Sequence, residues 1–94
     1  MEIKYRYNER EILNNLEAYI ESTYAQHYAK GKEQTMQHII DAGHGEGFAL
    51  GSIIKYASRY GKKNGKNPHD LMKLIHYAII AIYIADSEGK DKCG

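Results

Sequence analysis

Residues 67–84 read Asn-Pro-His-Asp-Leu-Met-Lys-Leu-Ile-His-Tyr-Ala-Ile-Ile-Ala-Ile-Tyr-Ile, and this stretch decides the fold. Asn67 followed by Pro68 is typical of an N-cap and the first position of a helix, and Asp70 adds a carboxylate to the first turn. The segment 78–84 is apolar on every side, as in a helix that is buried all round. In so short a chain, burial on every side predicts contact with a second subunit.

The composition predicts one small all-α domain that spans residues 1–94. The chain has 94 residues, a single Pro and no strand-like alternation of apolar and polar residues. The lone Cys93 cannot form an internal disulfide, and the N-terminus is charged from its second residue, so we expect a cytoplasmic protein. The longest apolar run, Tyr77–Ala85, is too short to span a bilayer, so no membrane partner is expected.

Caps and apolar spacing predict four helices. Asn8 and Glu11 suit an N-cap and its third helical position, and Gly61 suits the residue after a helix end. We expect tails that are frayed or used as arms at about residues 1–7 and 88–94. The predicted helices cover about 9–28, 34–42, 46–60 and 68–87. The last two are expected to form a C-terminal antiparallel helical hairpin, and the small domain is expected to assemble as a homo-oligomer.

A basic patch is hidden in a nearly neutral chain. The formal net charge is +1, but the segment from Lys55 to Lys73 holds six cations against one acid, a balance of +5, which leaves −4 for the rest. Such a patch attracts anions, and phosphate is the commonest biological anion that needs several cations. The six cations are Lys55, Arg59, Lys62, Lys63, Lys66 and Lys73.

The third predicted helix places candidate phosphate ligands on one face. Helical spacing aligns Phe48, Ser52, Lys55, Arg59 and Lys62, with Ile53, Ile54 and Ala57 on the opposite, apolar side. Arg59 can bind two phosphate oxygens at once, while Lys55 acts as a point charge, and Lys63 continues the basic loop. The alternative is an ordinary solvated face with surface cations.

The fourth predicted helix carries a matching stripe of Asp70, Lys73 and Tyr77. If the two helices form a hairpin, Asp70 pairs with Arg59 or Lys55 and orients it. Alternatively, Asp70 only satisfies the free amides of its own helix.

His27 and Tyr28 end the first predicted helix. Together they could stack on a base or donate a hydrogen bond to phosphate. The alternative is a packing and surface role.

The remaining motifs do not predict a further binding site. The glycines at 43, 45 and 47 lack the preceding strand of a dinucleotide-binding loop, and residues 61–67 lack the spacing of a P-loop. His38, Asp41 and His44 are too few to predict a metal site, so none is expected.

The combined pattern resembles a small bacteriophage family, a domain of unknown function (3310) that is often labelled SaV-like or nucleotide kinase-like. The resemblance covers about residues 27–85, and the family has Asn where this chain has Ser52. The residues that carry it are His27-Tyr28, Phe48, Gly51, Lys55-Tyr56, Arg59, Lys62 or Lys63, Asp70-Leu71, Lys73 and Tyr77.

The resemblance implies recognition of nucleotide phosphates and, in its enzymatic version, nucleoside monophosphate kinase-like phosphoryl transfer. Lys55 and Arg59 would neutralise charge on the transferred group, Lys73 would hold the donor, and Asp70 would orient a cation or Mg²⁺ that accompanies the nucleotide. Two alternatives use the same cations: a non-catalytic sponge that sequesters a host nucleotide signal, and an accessory protein that binds nucleic acid.

Overall fold

The described part of the chain folds into four helices, as a computed structural model of the protein shows. The structure describes the backbone of residues 2–30 and 32–93 and the side chains of residues 2–26 and 35–89. The all-α prediction is confirmed for these residues, which contain no strand. The helices are α1 (Glu9–Lys30), α2 (Lys32–Asp41), α3 (Gly45–Arg59) and α4 (Pro68–Cys93).

The start of α4 forms as the sequence predicts. The Asn67 side chain accepts a hydrogen bond from the backbone N–H of His69 at 3.0 Å, and its carbonyl accepts one from the Asp70 N–H. Pro68 fits the first position because the amide that it lacks would have no helical partner. At the other end the prediction was wrong, because α4 continues to Cys93 rather than ending near residue 87.

The start of α1 differs in detail from a capping box. Asn8 adopts a left-handed φ of 60°, and its carbonyl accepts from the N–H of Ile12 at 3.0 Å. Its side-chain amide donates to the Glu11 carboxylate at 3.1 Å. The predicted pair therefore meets through its side chains, because the left-handed backbone departs from the extended conformation usual at an N-cap.

α3 packs on α4 through its smallest residues. Gly45 and Ala49 are buried, and a Cβ on Gly45 would lie 2.9 Å from side-chain atoms of Ile40 and Ile84. The end of α3 meets the start of α4 where Arg59 contacts Asp70. Small side chains let the two helices approach closely here.

The predicted apolar face of α3 is not the face that contacts α4. Ile54 is 66% exposed and Ala57 is also exposed, whereas Ser52 and Arg59 are partly buried. This arrangement agrees with the expected pairing of Asp70 with Arg59, which brings the polar stripes of the two helices together. The close packing at Gly45 and the ion pair at Arg59 favour the smaller, more polar face.

α4 is buried on one side only within this chain. Ile84 is 6% exposed, but Ile82 and Tyr83 are 61% and 57% exposed. Among the described residues, the buried apolar side chains are those of Leu16, Ala49 and Ile84. A single copy therefore does not supply the all-round burial predicted for α4.

The accessible surface of the chain is larger than that of a compact folded monomer of the same mass. Its accessible surface is 7556 Å², whereas a folded monomer of this mass exposes about 5,500 Å². Its radius of gyration is 15.4 Å, against about 12 Å for a typical domain of this length. Within the described residues, no helix is both long and apolar enough to cross a membrane.

Candidate functional site

An ion pair joins the end of α3 to the start of α4. Arg59 Nε lies 3.5 Å from Asp70 Oδ1, and Asp70 is only 3% exposed. Both Arg59 Nε and Asp70 Oδ2 are buried without a hydrogen-bond partner. Of the two partners predicted for Asp70, the structure selects Arg59. Asp70 thereby holds the guanidinium in place at the base of the loop.

The loop between the two helices turns through three left-handed residues. Gly61, Asn64 and Gly65 have φ values of 85°, 63° and 67°, and the Gly61 N–H donates to the Gly65 carbonyl at 3.0 Å. Such φ values favour Gly and Asn. The loop lysines, Lys62, Lys63 and Lys66, are all exposed.

Two lysines converge on one tyrosine ring. The ammonium groups of Lys55 and Lys73 each lie 5.2 Å from the centroid of the Tyr56 ring. The two charges are therefore separated by at most twice that distance. Among the described residues, neither lysine lies within ion-pair distance of a carboxylate. Two positive charges thus share one aromatic ring.

Aromatic side chains continue from this ring along the α3–α4 packing surface. Tyr56 stacks on Tyr77 at 6.1 Å with an interplanar angle of 13°, and Phe48 contacts Tyr77 edge-on at 5.8 Å. Burial raises the pKa of Tyr77, the nearby Tyr56 phenol raises it further, and a hydrogen bond with Ser52 partly lowers it. The pKa of Tyr19 is also raised, first by burial and then by the phenols of Tyr56 and Tyr77.

A large groove opens beside these rings. Its volume is about 1150 Å³, and the described residues that line it come from all four helices. Apolar and aromatic side chains form most of its wall, and Lys73 and Tyr56 belong to it. The groove is therefore continuous with the two-lysine site. Other lining residues include Tyr19, Tyr24, Met36, Phe48, Tyr77, Ile80 and Tyr83.

Comparison with known proteins identifies a family for this chain. The model of a protein family of unknown function (DUF3310) matches residues 22–79. The chain belongs to this family. No curated protein and no solved structure matches the chain. The matched segment contains the two-lysine site, the ion pair and the loop between α3 and α4.

The structure brings together most of the side chains that the sequence singled out in this DUF3310 segment. The predicted residues that contact one another or Tyr56 are Ser52, Lys55, Arg59, Asp70, Lys73 and Tyr77. Lys62 and Lys63 instead lie on the exposed loop. His27 and Tyr28 lie outside the described side chains.

Sequence reasoning missed Tyr56 and Tyr19 as site residues. Tyr56 lies four residues after Ser52 and next to Lys55, so its helical spacing could have placed it beside the predicted stripe. Nothing local marks Tyr19, because it reaches the site by packing from α1, where its ring contacts His69 and His76 at 5.9 and 6.3 Å. Only the tertiary arrangement makes it part of the groove wall.

Asp70 does not suit a magnesium ligand in this arrangement. One carboxylate oxygen faces the Arg59 guanidinium at 3.5 Å, and the other is buried. A neighbouring positive charge disfavours a metal cation, and Mg²⁺ normally keeps several waters in its coordination shell. Within the described residues, no three His, Cys, Asp or Glu side chains form a cluster that could hold a metal ion.

Proposed function

We propose that this protein binds the phosphate group of a nucleotide between Lys55 and Lys73. The observation that carries the proposal is the placement of both ammonium groups 5.2 Å from the Tyr56 ring centroid, at the edge of an aromatic groove. An anion bound between them would relieve their mutual repulsion and keep both cation–π contacts. Ordinary surface cations would instead spread apart into solvent.

Arg59 and Asp70 act as positioning residues in this proposal. Their ion pair fixes the end of α3 against the start of α4, and Lys55 and Lys73 lie one turn further into each helix. The two helices with their basic loop then work as an antiparallel hairpin that presents one cation from each arm.

Phosphoryl transfer between nucleotides is the enzymatic version of the proposal. It extends the expectation from the sequence of a nucleotide kinase-like bacteriophage protein, and the lysines could neutralise charge on a transferred group. Mg²⁺ would enter with the nucleotide phosphates as part of the substrate. A phage protein that uses nucleotides would act in the host cytoplasm.

A non-catalytic sponge is the second candidate, and one observation favours it. Arg59, which the kinase version needs at the transferred group, is paired with Asp70 and has 29% of its side chain exposed. An arginine held in this way positions the site but does not reach freely to a second phosphate. Binding and sequestration need only Lys55 and Lys73.

The deciding experiment incubates the protein with mixed nucleotides, with and without Mg²⁺, and identifies the nucleotides afterwards by mass spectrometry. Altered nucleotides would support the kinase version, and intact bound nucleotide would support the sponge. Affinity that rises with polymer length and falls steeply with salt would instead indicate a nucleic-acid-binding protein that uses the lysine loop. Wild-type affinity in the Lys55→Gln Lys73→Gln double variant would refute the two-lysine site.

We also propose that the protein assembles as a homo-oligomer. The accessible surface exceeds that of a compact monomer by roughly 2,000 Å², and a stable interface buries about 800 Å² on each partner. Large apolar side chains on α3 and α4 remain exposed and could supply that area. They include Leu50, Ile54, Ile79 and Ile82.

A further inference from the structure

We infer that the aromatic groove is a binding subsite for the base of the nucleotide, which stacks on the Phe48–Tyr77 ring pair while its phosphate lies at Lys73. This inference rests on the proposed function and extends it, because phosphate binding alone needs no aromatic groove. The ligand class is therefore a nucleoside 5′-phosphate rather than inorganic phosphate or a sugar phosphate.

The first argument is the continuity between charge and aromatic surface. Lys73 and Tyr77 lie one turn apart on α4, about 6 Å along the helix axis, and both line the groove. Phe48 reaches the same place from α3 and contacts Tyr77 at 5.8 Å. A ligand that places an anion at Lys73 therefore brings whatever is attached to that anion against aromatic rings.

The second argument concerns which rings have a free surface. Tyr56 is already covered, because Tyr77 stacks on it and two lysines lie over it. Phe48 is 41% exposed, and its ring has no polar group that could form a hydrogen bond with water. Every nucleobase has a π-face that can stack on such a ring. Phe48 is thus the ring that we expect to contribute most.

The third argument concerns the size and chemistry of the groove. A volume of about 1150 Å³ is more than sufficient for a small molecule, since ligand sites occupy about 300–1,000 Å³. The wall is mainly apolar and aromatic, and Lys73 is the lysine among its described lining residues. That distribution matches a molecule that is planar and apolar at one end and anionic at the other. A purely apolar partner would make no use of the Lys73 charge.

The test compares ligands with and without a base. Titration calorimetry with the common ribo- and deoxyribonucleoside 5′-monophosphates identifies the tightest ligand, which is then compared with the corresponding base-free sugar 5-phosphate. We expect loss of the base to weaken binding about tenfold or more. Phe48→Leu should weaken binding of the nucleotide about five- to tenfold and leave that of the sugar phosphate unchanged. Lys73→Gln should weaken both.

Tyr7→Leu is the matched control, because Tyr7 is 72% exposed and lies outside the groove. Circular dichroism and light scattering should show that each variant keeps its fold and mass. Equal binding of nucleotide and sugar phosphate, or unchanged nucleotide binding by Phe48→Leu, would overturn the base subsite while leaving the phosphate site intact. A change of oligomer mass in Phe48→Leu with unchanged affinity would also overturn it, because the groove would then be a subunit contact. No binding of either ligand by the wild-type protein would refute the proposed function itself.

Discussion

At the scale of single residues, the Arg59–Asp70 pair contributes to stability in addition to the positioning role proposed for it. Asp70 is almost completely buried and its partner only partly so. Asp70→Asn should lower the free energy of unfolding by about 2–3 kcal/mol, because the Arg59 charge loses its partner in a partly buried place. Urea denaturation measures this loss, and Asp86→Asn, at an exposed position of the same helix, should have little effect.

A double substitution separates the charge from the packing. Arg59→Met combined with Asp70→Leu should recover much of the stability lost in Asp70→Asn, because a buried ion pair can be replaced by apolar side chains at little cost. If Asp70→Asn and the wild type had the same urea midpoint of unfolding, the pair would contribute nothing to stability. Asp70 would then have only a local role at the start of α4.

Tyr77 gives a prediction about pH. Its pKa is raised in the folded protein, chiefly by burial, so the unfolded chain loses this proton first as the pH rises through about 10. The contribution of Tyr77 to stability is therefore complete below about pH 10 and is lost as the pH rises toward the folded-state pKa. Tyr77→Phe should make the alkaline decline in melting temperature shallower.

Melting curves recorded between neutral pH and pH 11 check this prediction. Tyr7→Phe is the control, because Tyr7 is largely exposed. Tyr19 also has a raised pKa through burial and the same neighbours, so Tyr77→Phe should reduce the alkaline decline but not abolish it. An alkaline decline as steep as that of the wild type would show that Tyr77 titrates equally in both states.

At the scale of the helices, two glycines of α3 have opposite expected effects. A Cβ at Gly45 would lie 2.9 Å from side-chain atoms of Ile40 and Ile84 and 3.2 Å from the Ile40 backbone, whereas a Cβ at Gly51 meets nothing within 4 Å. Gly45→Ala should therefore destabilise the protein by about 1–3 kcal/mol through overpacking. Gly51→Ala should stabilise it by about 0.5–1 kcal/mol, because alanine favours the helix.

The pair of glycine variants tests the packing of α3 against Ile40 of α2 and Ile84 of α4. Chemical denaturation under one set of conditions gives both values, and the difference in sign is the informative result. If both substitutions were stabilising, Gly45 would lie further from Ile40 and Ile84 than the structure has it.

The helices also show how far the sequence can be used for prediction. Local signals such as Asn67-Pro68 correctly located the start of α4, because the cap involves neighbouring residues only. The choice of Gly45 and Ala49 as the closely packed positions of α3 was not predicted. That choice depends on a partner helix that local spacing does not reveal.

In the candidate site, too, the contacts between residues close in sequence could be predicted and those made by tertiary packing could not. Asp70 and Arg59 were predicted as a possible pair because the loop between their helices is short. Tyr19 could not be found, because it reaches the groove from α1 through contacts with His69 and His76. Residues joined by a short connection can be paired from the sequence, whereas those joined only by tertiary packing cannot.

At the scale of the whole molecule, the exposed apolar surface predicts self-association. Ile54 on α3 is 66% exposed, so Ile54→Lys should leave the fold of a single chain intact while it places a charge in any contact between copies. Burying that charge without a partner would cost several times the thermal energy. We therefore expect the wild-type mass in light scattering to be a multiple of 10.7 kDa and the variant to form smaller species.

Asn14→Lys, at an exposed polar position of α1, adds the same charge and should leave the mass unchanged. A wild-type mass equal to one chain would refute self-association, and the large exposed surface would then belong to the free protein. A smaller variant with unchanged helicity would locate a subunit contact on the exposed face of α3 that carries Ile54.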